Sequence, residues 1–447
     1  MKKIVIMLVC AAFLLSGCGK KENEVEPPSD TGKSYVEFVQ TDYAVGVDAE
    51  IQLTLNSENA ESITFVSSLP EIASVSPNGV VSGLKLGRTE ITATAVSTGK
   101  GGERLSAKCS VFVNPGEYEK LDGEEPLVKW LGRTFVSENA VNCYNTASGF
   151  EADFYGTEFC AQILAAGNKK TPRICVLIDD EISPEKRIID LTETNVEKEY
   201  VLAENLSMGQ HKIRVYKLTE PYTTSLAFTS LKTDGYFLNR PLDKPLKIEV
   251  YGDSITTGHK NMRTTPAEPA DSTDNIQNGC LTYAWLAAEE LNAEINVMAR
   301  TGIGMYSAWG SSYVLRDNWK KTYLSEYDYL HTPLRNPEWD FTSYVPDVVL
   351  INIGTNDYWY QKDVELYKSE LKKFTDELFS LYGADTKIVY LGGMMIAENI
   401  PAMKAVADLY EENVTVLRLP ASEASHPRKA DNVKAGQVLA EYLEKIM

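Results

Sequence analysis

The stretch LKIEVYGDSIT, residues 246–256, decides how the second half of the chain folds. Its first five residues predict a half-buried strand, and that strand ends abruptly at Gly252-Asp253-Ser254 with no apolar continuation. Open α/β sheets bind ligands at the carboxyl ends of their strands. Ser254 is therefore the candidate nucleophile, although Gly-Asp-Ser taken alone is also ordinary turn composition.

Two later stretches offer the partners that a nucleophilic serine needs. GTND at 354–357 follows the apolar run 348–353, and EASHP at 423–427 lies close to the C-terminus. A doubly wound sheet brings the loop after its last strand near the first strand, so we predict that His426 is the general base. Glu423 could orient its imidazole, or a main-chain carbonyl could do so instead.

An acyl-transferring serine also needs hydrogen-bond donors for the oxyanion. The side-chain amide of Asn356, at the end of the third predicted strand of the sheet, can supply one. The backbone N–H of Gly302, in RTGIG at 300–304, can supply a second, although Gly304 competes for this role. The third predicted donor is the N–H of Ser254 itself.

From residue 245 to 447 the apolar pattern predicts alternating strands and helices. Helices are predicted over 281–292 and 364–382. Strands are predicted over 246–250, 294–299, 347–353, 387–391 and 414–419. This alternation is typical of an α/β fold with a doubly wound parallel sheet and helices on both faces, and we predict that this domain carries the chemistry.

Two β-rich segments precede the α/β domain. Residues 34–115 run in short β-branched segments with PNG at 77–79 as a hairpin turn, which predicts an all-β sandwich. Residues 118–242 again predict strands without a long helical period, which indicates a second β-sandwich of the jelly-roll kind. His211 alternates with apolar residues in one of these strands and is interpreted as a core or surface imidazole. The chain is therefore multidomain.

Two resemblances rest on these motifs. SSLPEIASV and NGVVSGL, within residues 67–84, resemble the bacterial Ig-like group 2 module. Four blocks of the α/β domain resemble those of the SGNH or GDSL hydrolases, which are esterases and deacetylases. The blocks are GDS at 252–254, Gly302, GTND at 354–357 and His426-Pro427. The resemblance implies a flavodoxin-like sheet.

A β-sandwich directly before such a domain, with WLGR at 130–133, resembles carbohydrate esterase family 2. That family removes acetyl groups from plant polysaccharides such as xylan and mannan. The resemblance implies an acetyl-enzyme on Ser254 with His426 as its base. This chain departs from the pattern because Glu423 replaces the Asp of Asp-x-x-His, which leaves open a Ser–His dyad.

The insertion 303–344 is dense in aromatic residues, whose faces suit the C–H faces of sugar rings. We predict that Trp309 and Trp359 line sugar subsites, although each ring could instead pack the insertion onto its domain. The predicted partner is an acetylated polysaccharide or oligosaccharide. Two alternatives remain: a lipid esterase or thioesterase with an apolar acyl channel, and a non-catalytic glycan-binding lipoprotein.

The N-terminal residues predict where the protein is located in the cell. Residues 1–18 combine a charged start, a short apolar run and LLSGC, which resembles the lipobox of bacterial lipoproteins. Lipidation of Cys18 would tether the chain to a membrane of the bacterial cell envelope, at the outer membrane surface or on the periplasmic side; a plain secretory signal is the alternative. Residues 19–33 are polar and indicate a flexible linker.

Composition excludes some classes of partner. A formal net charge of −19 leaves no electrostatic footprint for nucleic acid and favours a neutral substrate. No Cys- or His-rich metal spacing occurs, and the predicted serine reaction requires no metal ion or organic cofactor. The cysteines after Cys18 are Cys109, Cys143, Cys160, Cys175 and Cys280. Their irregular spacing argues against a disulfide framework; one bridge among the middle three is an alternative to small buried side chains.

Overall fold

The computed structural model describes residues 33–99, 101–168, 170–263, 276–423 and 425–447. The predicted signal with Cys18, and all but the last residue of the predicted linker, lie outside these ranges. No helix within the described ranges is long and apolar enough to cross a bilayer.

The first described segment folds as a β-sandwich. Its strands are β1 (Tyr35–Phe38), β2 (Asp42–Gly46), β3 (Glu50–Gln52), β4 (Leu55–Glu58), β5 (Ala60–Ser67), β6 (Ala73–Val75), β7 (Val80–Gly83), β8 (Gly87–Ser97) and β9 (Arg104–Asn114). One sheet has the order β2-β9-β8-β5, another has the order β3-β7-β6, and β1 pairs with β4. Ile91, Ala93 and Ala95 alternate along β8 and are buried, as expected for a strand with one core-facing side. The predicted hairpin turn joins β6 to β7, and Gly79 has a φ of +78° there.

The next segment forms a second β-sandwich. Its strands are β10 (Glu117–Tyr118), β11 (Val128–Leu131), β12 (Phe135–Ser137), β13 (Ala140–Asn142), β14 (Gly149–Gly156), β15 (Phe159–Gly167), β16 (Arg173–Ile178), β17 (Ile188–Asp190), β18 (Glu197–Ala203), β19 (Gly209–Lys217), β20 (Thr224–Thr233) and β21 (Tyr236–Phe237). One sheet has the order β12-β13-β20-β15-β18 and the other β11-β14-β19-β16-β17. Phe150 and Phe228 meet between the sheets with ring centroids 5.1 Å apart.

The C-terminal segment is a parallel α/β sheet. Its strands are β22 (Leu246–Gly252), β23 (Ala293–Ala299), β24 (Val348–Asn352), β25 (Lys387–Gly392) and β26 (Val414–Arg418). Its helices are α1 (Tyr283–Glu290), α2 (Leu315–Asn318), α3 (Thr355–Tyr360), α4 (Val364–Tyr382), α5 (Ile400–Ala407) and α6 (Lys429–Ile446). The strand order is β23-β22-β24-β25-β26. The chain therefore leaves β22 for one side and later returns on the other, which creates a switch point at the carboxyl end of β22.

Both faces of the parallel sheet are buried, as predicted. Val250 and Tyr251 are successive residues of β22 and point to opposite faces. Val250 belongs to a core that includes Trp285 of α1 and helix α6. Tyr251 belongs to a core that includes Phe374 of α4 and helix α5. The apolar runs of β24 and β25 are continuous because neither face meets water. The prediction that β22 is half-buried is wrong, since its Glu249 is also completely buried.

The second β-sandwich is joined to the α/β domain by buried polar contacts. The guanidinium of Arg133 is completely buried, and its Nη2 lies 2.8 Å from Glu249 Oε1 and 2.6 Å from the Tyr251 hydroxyl. The same guanidinium donates to the main-chain carbonyls of Trp319 and Lys321. The interface between these two domains is therefore buried at Arg133 and Glu249 rather than exposed to solvent.

The remaining sequence predictions for the β-rich half concern cysteine and histidine. The cysteines of the described residues are all buried free thiols, so the alternative of a disulfide bridge does not hold there. His211 lies in β19, with Nδ1 2.9 Å from Asp179 Oδ2 and Nε2 2.7 Å from the Ser207 carbonyl oxygen. Both ring nitrogens are engaged within the sandwich, which agrees with a structural imidazole.

Candidate active site

Ser254 stands directly beyond the carboxyl end of β22, at the switch point of the sheet. The turn is closed by hydrogen bonds from the N–H groups of Thr256 and Thr257 to the Asp253 carbonyl, each 3.1 Å long. A Cβ atom on Gly252 would lie 2.0 Å from the Thr256 hydroxyl oxygen, so only glycine allows this turn. The strand's abrupt end thus places the Ser254 side chain at the carboxyl end of the sheet.

His426 lies in the loop between β26 and α6, and its Nε2 is 3.0 Å from Ser254 Oγ. The start of α6 fixes this loop, because the Asp431 carboxylate accepts a 2.9 Å hydrogen bond from the Arg428 N–H. Asn432 adds a link to α1, since its Oδ1 accepts from the Tyr283 N–H at 3.0 Å. Ser254 and His426 are 172 positions apart in the sequence, and the sheet topology brings them together.

The imidazole of His426 lies in a setting that disfavours its protonated form. Burial lowers its pKa to about 4, with further lowering from the positive charges of Lys260 and Arg263. The ring of His259 packs against it at 5.0 Å, and burial also lowers the pKa of His259. His426 is therefore neutral near pH 7, as a base must be to take the serine proton.

The structure does not bring Glu423 to the imidazole. Its side chain is 80% exposed, and Oε2 lies 3.6 Å from Nη2 of Arg428. Among the described residues, no hydrogen bond joins Glu423 to His426. The role of Glu423 as the orienting acid is thus not supported by the geometry, because its carboxylate faces a cation on the following turn.

The predicted oxyanion donors follow the carboxyl ends of three neighbouring strands: Ser254 after β22, Gly302 after β23 and Asn356 after β24. Gly302 follows β23 with a φ of +80°, a conformation that favours glycine. Within the described residues, no protein acceptor takes the N–H of Gly302 or of Ser254. Asn356 opens α3 and donates from Nδ2 to the Ile303 carbonyl at 2.8 Å. A primary amide carries two hydrogens, so Asn356 can hold the loop and still offer a second N–H.

Asp357 is a functional residue for which the sequence analysis gave no role. Its carboxylate is completely buried and accepts from the N–H groups of Met305 at 2.7 Å, Tyr306 at 2.8 Å and Ser307 at 2.9 Å. Burial raises its pKa, whereas these three hydrogen bonds lower it. Asp357 thereby fixes the loop that follows Gly302. Its position as the last residue of GTND was the available signal.

The two predicted sugar-binding tryptophans are solvent-facing. Trp309 is 56% exposed and Trp359 is 52% exposed. Trp319 and Tyr323 of the insertion are buried instead: Trp319 packs on Phe374 of the α/β domain, and Tyr323 packs on Tyr144 of the second β-sandwich. The main-chain N–H of Trp309 donates to the Gly302 carbonyl at 2.8 Å. Trp359 lies on α3, the helix that carries Asn356. Both rings therefore lie on segments that also hold predicted oxyanion donors.

Fold and site together define a parallel α/β domain with a Ser–His pair at its switch point, preceded by a β-sandwich. Residues 130–241 match the family model Carbohydrate esterase 2 N-terminal, and residues 34–105 match Bacterial Ig-like domain (group 2). These matches confirm the resemblances to carbohydrate esterase family 2 and to the bacterial Ig-like group 2 module. Within the described residues, no cluster of three or more His, Cys, Asp or Glu side chains could hold a metal ion.

Solved structures share this architecture. A family two carbohydrate esterase from Cellvibrio japonicus superimposes with a TM-score of 0.64 at 21% identity, covering 74% of this chain and 98% of that one. A family two carbohydrate esterase from Clostridium thermocellum in complex with cellohexaose gives a TM-score of 0.62 at 24% identity, covering 71% and 98%. These likenesses show that the fold is that of the family two esterases.

Curated relatives match part of the chain. Cellulase/esterase CelE of Acetivibrio thermocellus is 30% identical over 239 residues, which are 53% of this chain and 27% of that protein. An acetylxylan esterase / glucomannan deacetylase of Cellvibrio japonicus is 27% identical over 249 residues, 53% of this chain and 63% of that protein. The chain thus spans less than two thirds of the length of either relative.

Proposed function

We propose that this chain is a serine esterase that removes O-acetyl groups from a plant-type polysaccharide, such as xylan or mannan, or from its oligosaccharides. The observation that carries the proposal is the 3.0 Å contact between Ser254 Oγ and His426 Nε2 at the switch point of the sheet. The similarity to proteins named acetylxylan esterase / glucomannan deacetylase supports the class of substrate.

The reaction follows from the positions of the side chains. Ser254 Oγ attacks the acetyl carbonyl carbon while His426 Nε2 takes the hydroxyl proton. The tetrahedral oxyanion accepts hydrogen bonds from the N–H groups of Ser254 and Gly302 and from the Asn356 amide. When the intermediate collapses, the C–O bond to the sugar breaks and His426 returns its proton to the departing sugar oxygen.

Water completes the cycle. It attacks the carbonyl of the acetyl-enzyme while His426 takes one of its protons, and the second collapse releases acetate and returns that proton to Ser254 Oγ. No metal ion or organic cofactor takes part in these steps. A Ser–His dyad suffices for this sequence when Nδ1 of His426 carries the ring proton, because Nε2 of the neutral imidazole then presents its electron pair to Ser254 Oγ.

The exposed tryptophans support a sugar as the group that carries the acetyl ester. Trp309 and Trp359 are exposed on the segments that carry the predicted oxyanion donors, and aromatic faces stack on the C–H faces of sugar rings. One solved relative is described in complex with cellohexaose. We therefore propose that the sugar chain lies across these two rings while its acetyl group enters the Ser254 crevice.

The address and domain division remain proposals of the same kind. Residues 1–18 would act as a lipoprotein signal with Cys18 lipidated, 19–33 as a linker, 34–115 as an Ig-like spacer, 118–242 as the jelly roll and 245–447 as the hydrolase domain. The resemblance to a lipobox supports placement on a membrane of the bacterial cell envelope. Radiolabelled palmitate incorporation that is lost in Cys18→Ala would test the anchor.

Hydrolysis of 4-nitrophenyl esters tests the proposed activity. The chain without residues 1–18 should hydrolyse the acetate ester, hydrolyse the butyrate and decanoate esters progressively less well, and lose all turnover in Ser254→Ala. Release of acetate from acetylated xylan and mannan then identifies the polymer. A preference for decanoate would favour a lipid esterase, and no turnover of any ester would favour a glycan-binding lipoprotein.

A further inference from the structure

We propose that Glu220 of the second β-sandwich is a positioning residue for the oxyanion hole, because its carboxylate fixes the start of the Gly302 loop in the neighbouring domain. The inference rests on the proposed serine-esterase function and goes beyond it. It makes the β-sandwich a part of the reaction centre rather than a neighbouring support.

Glu220 reaches the oxyanion loop from the turn between β19 and β20. Its Oε2 accepts from the Thr301 N–H at 2.7 Å, and its Oε1 accepts from the Thr301 hydroxyl at 2.8 Å. Thr301 immediately precedes Gly302, whose N–H is the predicted donor. The Thr301 hydroxyl oxygen also lies 3.4 Å from the Thr257 hydroxyl oxygen, on the turn that carries Ser254.

The side chain is built to act as a fixed acceptor. Glu220 is 2% exposed, and its own carbonyl accepts from the N–H of Thr224 at 3.2 Å, which closes its turn. Burial raises its pKa, whereas the two bonds from Thr301 and the charges of Arg300 and Lys217 lower it. Burial is the largest effect, so the pKa of Glu220 is raised overall. The ionised form is the one that lets both carboxylate oxygens accept from Thr301, and the guanidinium of Arg300 stabilises it.

The loop is held from both sides by buried carboxylates. Asp357 of the α/β domain takes three N–H groups from the residues after Gly302, and Glu220 takes the N–H just before it. Oxyanion donors act because they are fixed before the charge develops. A shift of about 1 Å is enough to weaken such a site, so releasing either end should lower the rate rather than substrate affinity.

Steady-state kinetics on 4-nitrophenyl acetate test this inference in the chain without residues 1–18. We expect Glu220→Ala to lower kcat about 10- to 100-fold while KM changes less than about threefold. Glu220→Gln should recover most of kcat, because its amide oxygen can accept from the Thr301 N–H while its NH2 group donates to the Thr301 hydroxyl.

Arg214→Ala is the matched control. Arg214 also crosses from the β-sandwich to the α/β domain, where its Nη1 lies 2.7 Å from Glu289 Oε2. Glu289 lies near the end of α1, shortly before the amino end of β23, whereas Ser254 follows the carboxyl end of β22. Arg214→Ala should lower the melting temperature and leave kcat unchanged. Wild-type kcat in Glu220→Ala, or an equal loss of kcat in Arg214→Ala, would overturn the proposal.

Two further measurements keep the proposal testable. If Glu220→Ala does not fold, Thr301→Val removes one of the two hydrogen bonds and should lower kcat severalfold; an unchanged kcat would overturn the inference. Labelling of Ser254 by a fluorophosphonate needs no ester substrate and should slow in the same variants. A wild type that is labelled but does not hydrolyse acetate esters would refute the proposed function alone, and equal labelling rates would refute the role of Glu220.

Discussion

Glu423 Oε2 lies 3.6 Å from Nη2 of Arg428, and the Glu423 side chain is 80% exposed. An exposed ion pair of this kind contributes about 0–1 kcal/mol. We expect Glu423→Ala to lower kcat/KM by less than about threefold, whereas His426→Ala should lower it about 10³-fold or more with the fold intact. Turnover of 4-nitrophenyl acetate and circular dichroism check both. His331 is exposed, so His331→Ala is a matched control that should keep full activity. Comparable losses for Glu423→Ala and His426→Ala would refute the dyad.

The pH dependence of kcat/KM should report the lowered pKa of His426. The neutral imidazole is the active form, so activity is lost as the pH falls through its pKa of about 4 rather than through the ordinary value of 6.5. Arg263→Gln removes one of the charges that lower this pKa and should move the acid limb to higher pH. An acid limb of kcat/KM centred at pH 6.5 or above in the wild type would contradict the lowered pKa of His426.

Asp357→Asn should destabilise the hydrolase domain. The buried carboxylate accepts three N–H groups, and an amide in its place turns a donor toward at least one of them. Leaving a buried donor unsatisfied costs about 1–3 kcal/mol, and the loosened loop should lower kcat as well. Asp363→Asn is the control, because Asp363 caps α4 at an exposed site where Asn caps equally well. Urea unfolding compares them; equal stability would contradict the role of Asp357.

Substitution of the exposed tryptophans should separate polymer binding from the chemistry. Trp359→Ala should raise KM for acetylated xylan or mannan about tenfold, since stacking of one ring contributes about 1 kcal/mol or more, and should leave kcat for 4-nitrophenyl acetate unchanged. Trp309→Ala should do the same and should also lower kcat slightly, because Trp309 packs on Gly302. Unchanged KM for every polymer tested would remove these rings from the sugar path.

Much of the catalytic domain could be predicted from local patterns. The change from period 2 to alternating strands and helices located the sheet, and the rule that parallel sheets bind ligands at strand ends selected Ser254 and His426. These two residues are predictable because the topology, rather than any particular side-chain packing, brings them together. The helix predicted over 364–382 matches α4 to the residue because its apolar stripe faces one core.

The contacts that depend on side-chain direction could not be predicted. Glu423 is three residues from His426, yet it turns to Arg428, and sequence spacing does not fix which way an exposed carboxylate points. Glu220 is 81 positions from Thr301, and nothing local marks a glutamate in a sandwich turn as the partner of a loop in another domain. The exposed Trp309 and the buried Trp319 are likewise indistinguishable by composition.

The buried guanidinium of Arg133 limits how this protein can be recombined. A chimera joined at residue 245 would leave Glu249 without its cation inside the sheet, and removing one partner of a buried pair costs about 3–5 kcal/mol. A chimera joined at residue 116 keeps that pair. It gives up the buried hydrogen bond from the Asn114 side chain to the Phe237 carbonyl, which joins two uncharged groups. Residues 118–447 should therefore be inherited and transferred as one unit. Exchange of domains, by evolution or by engineering, is expected on the N-terminal side of this unit.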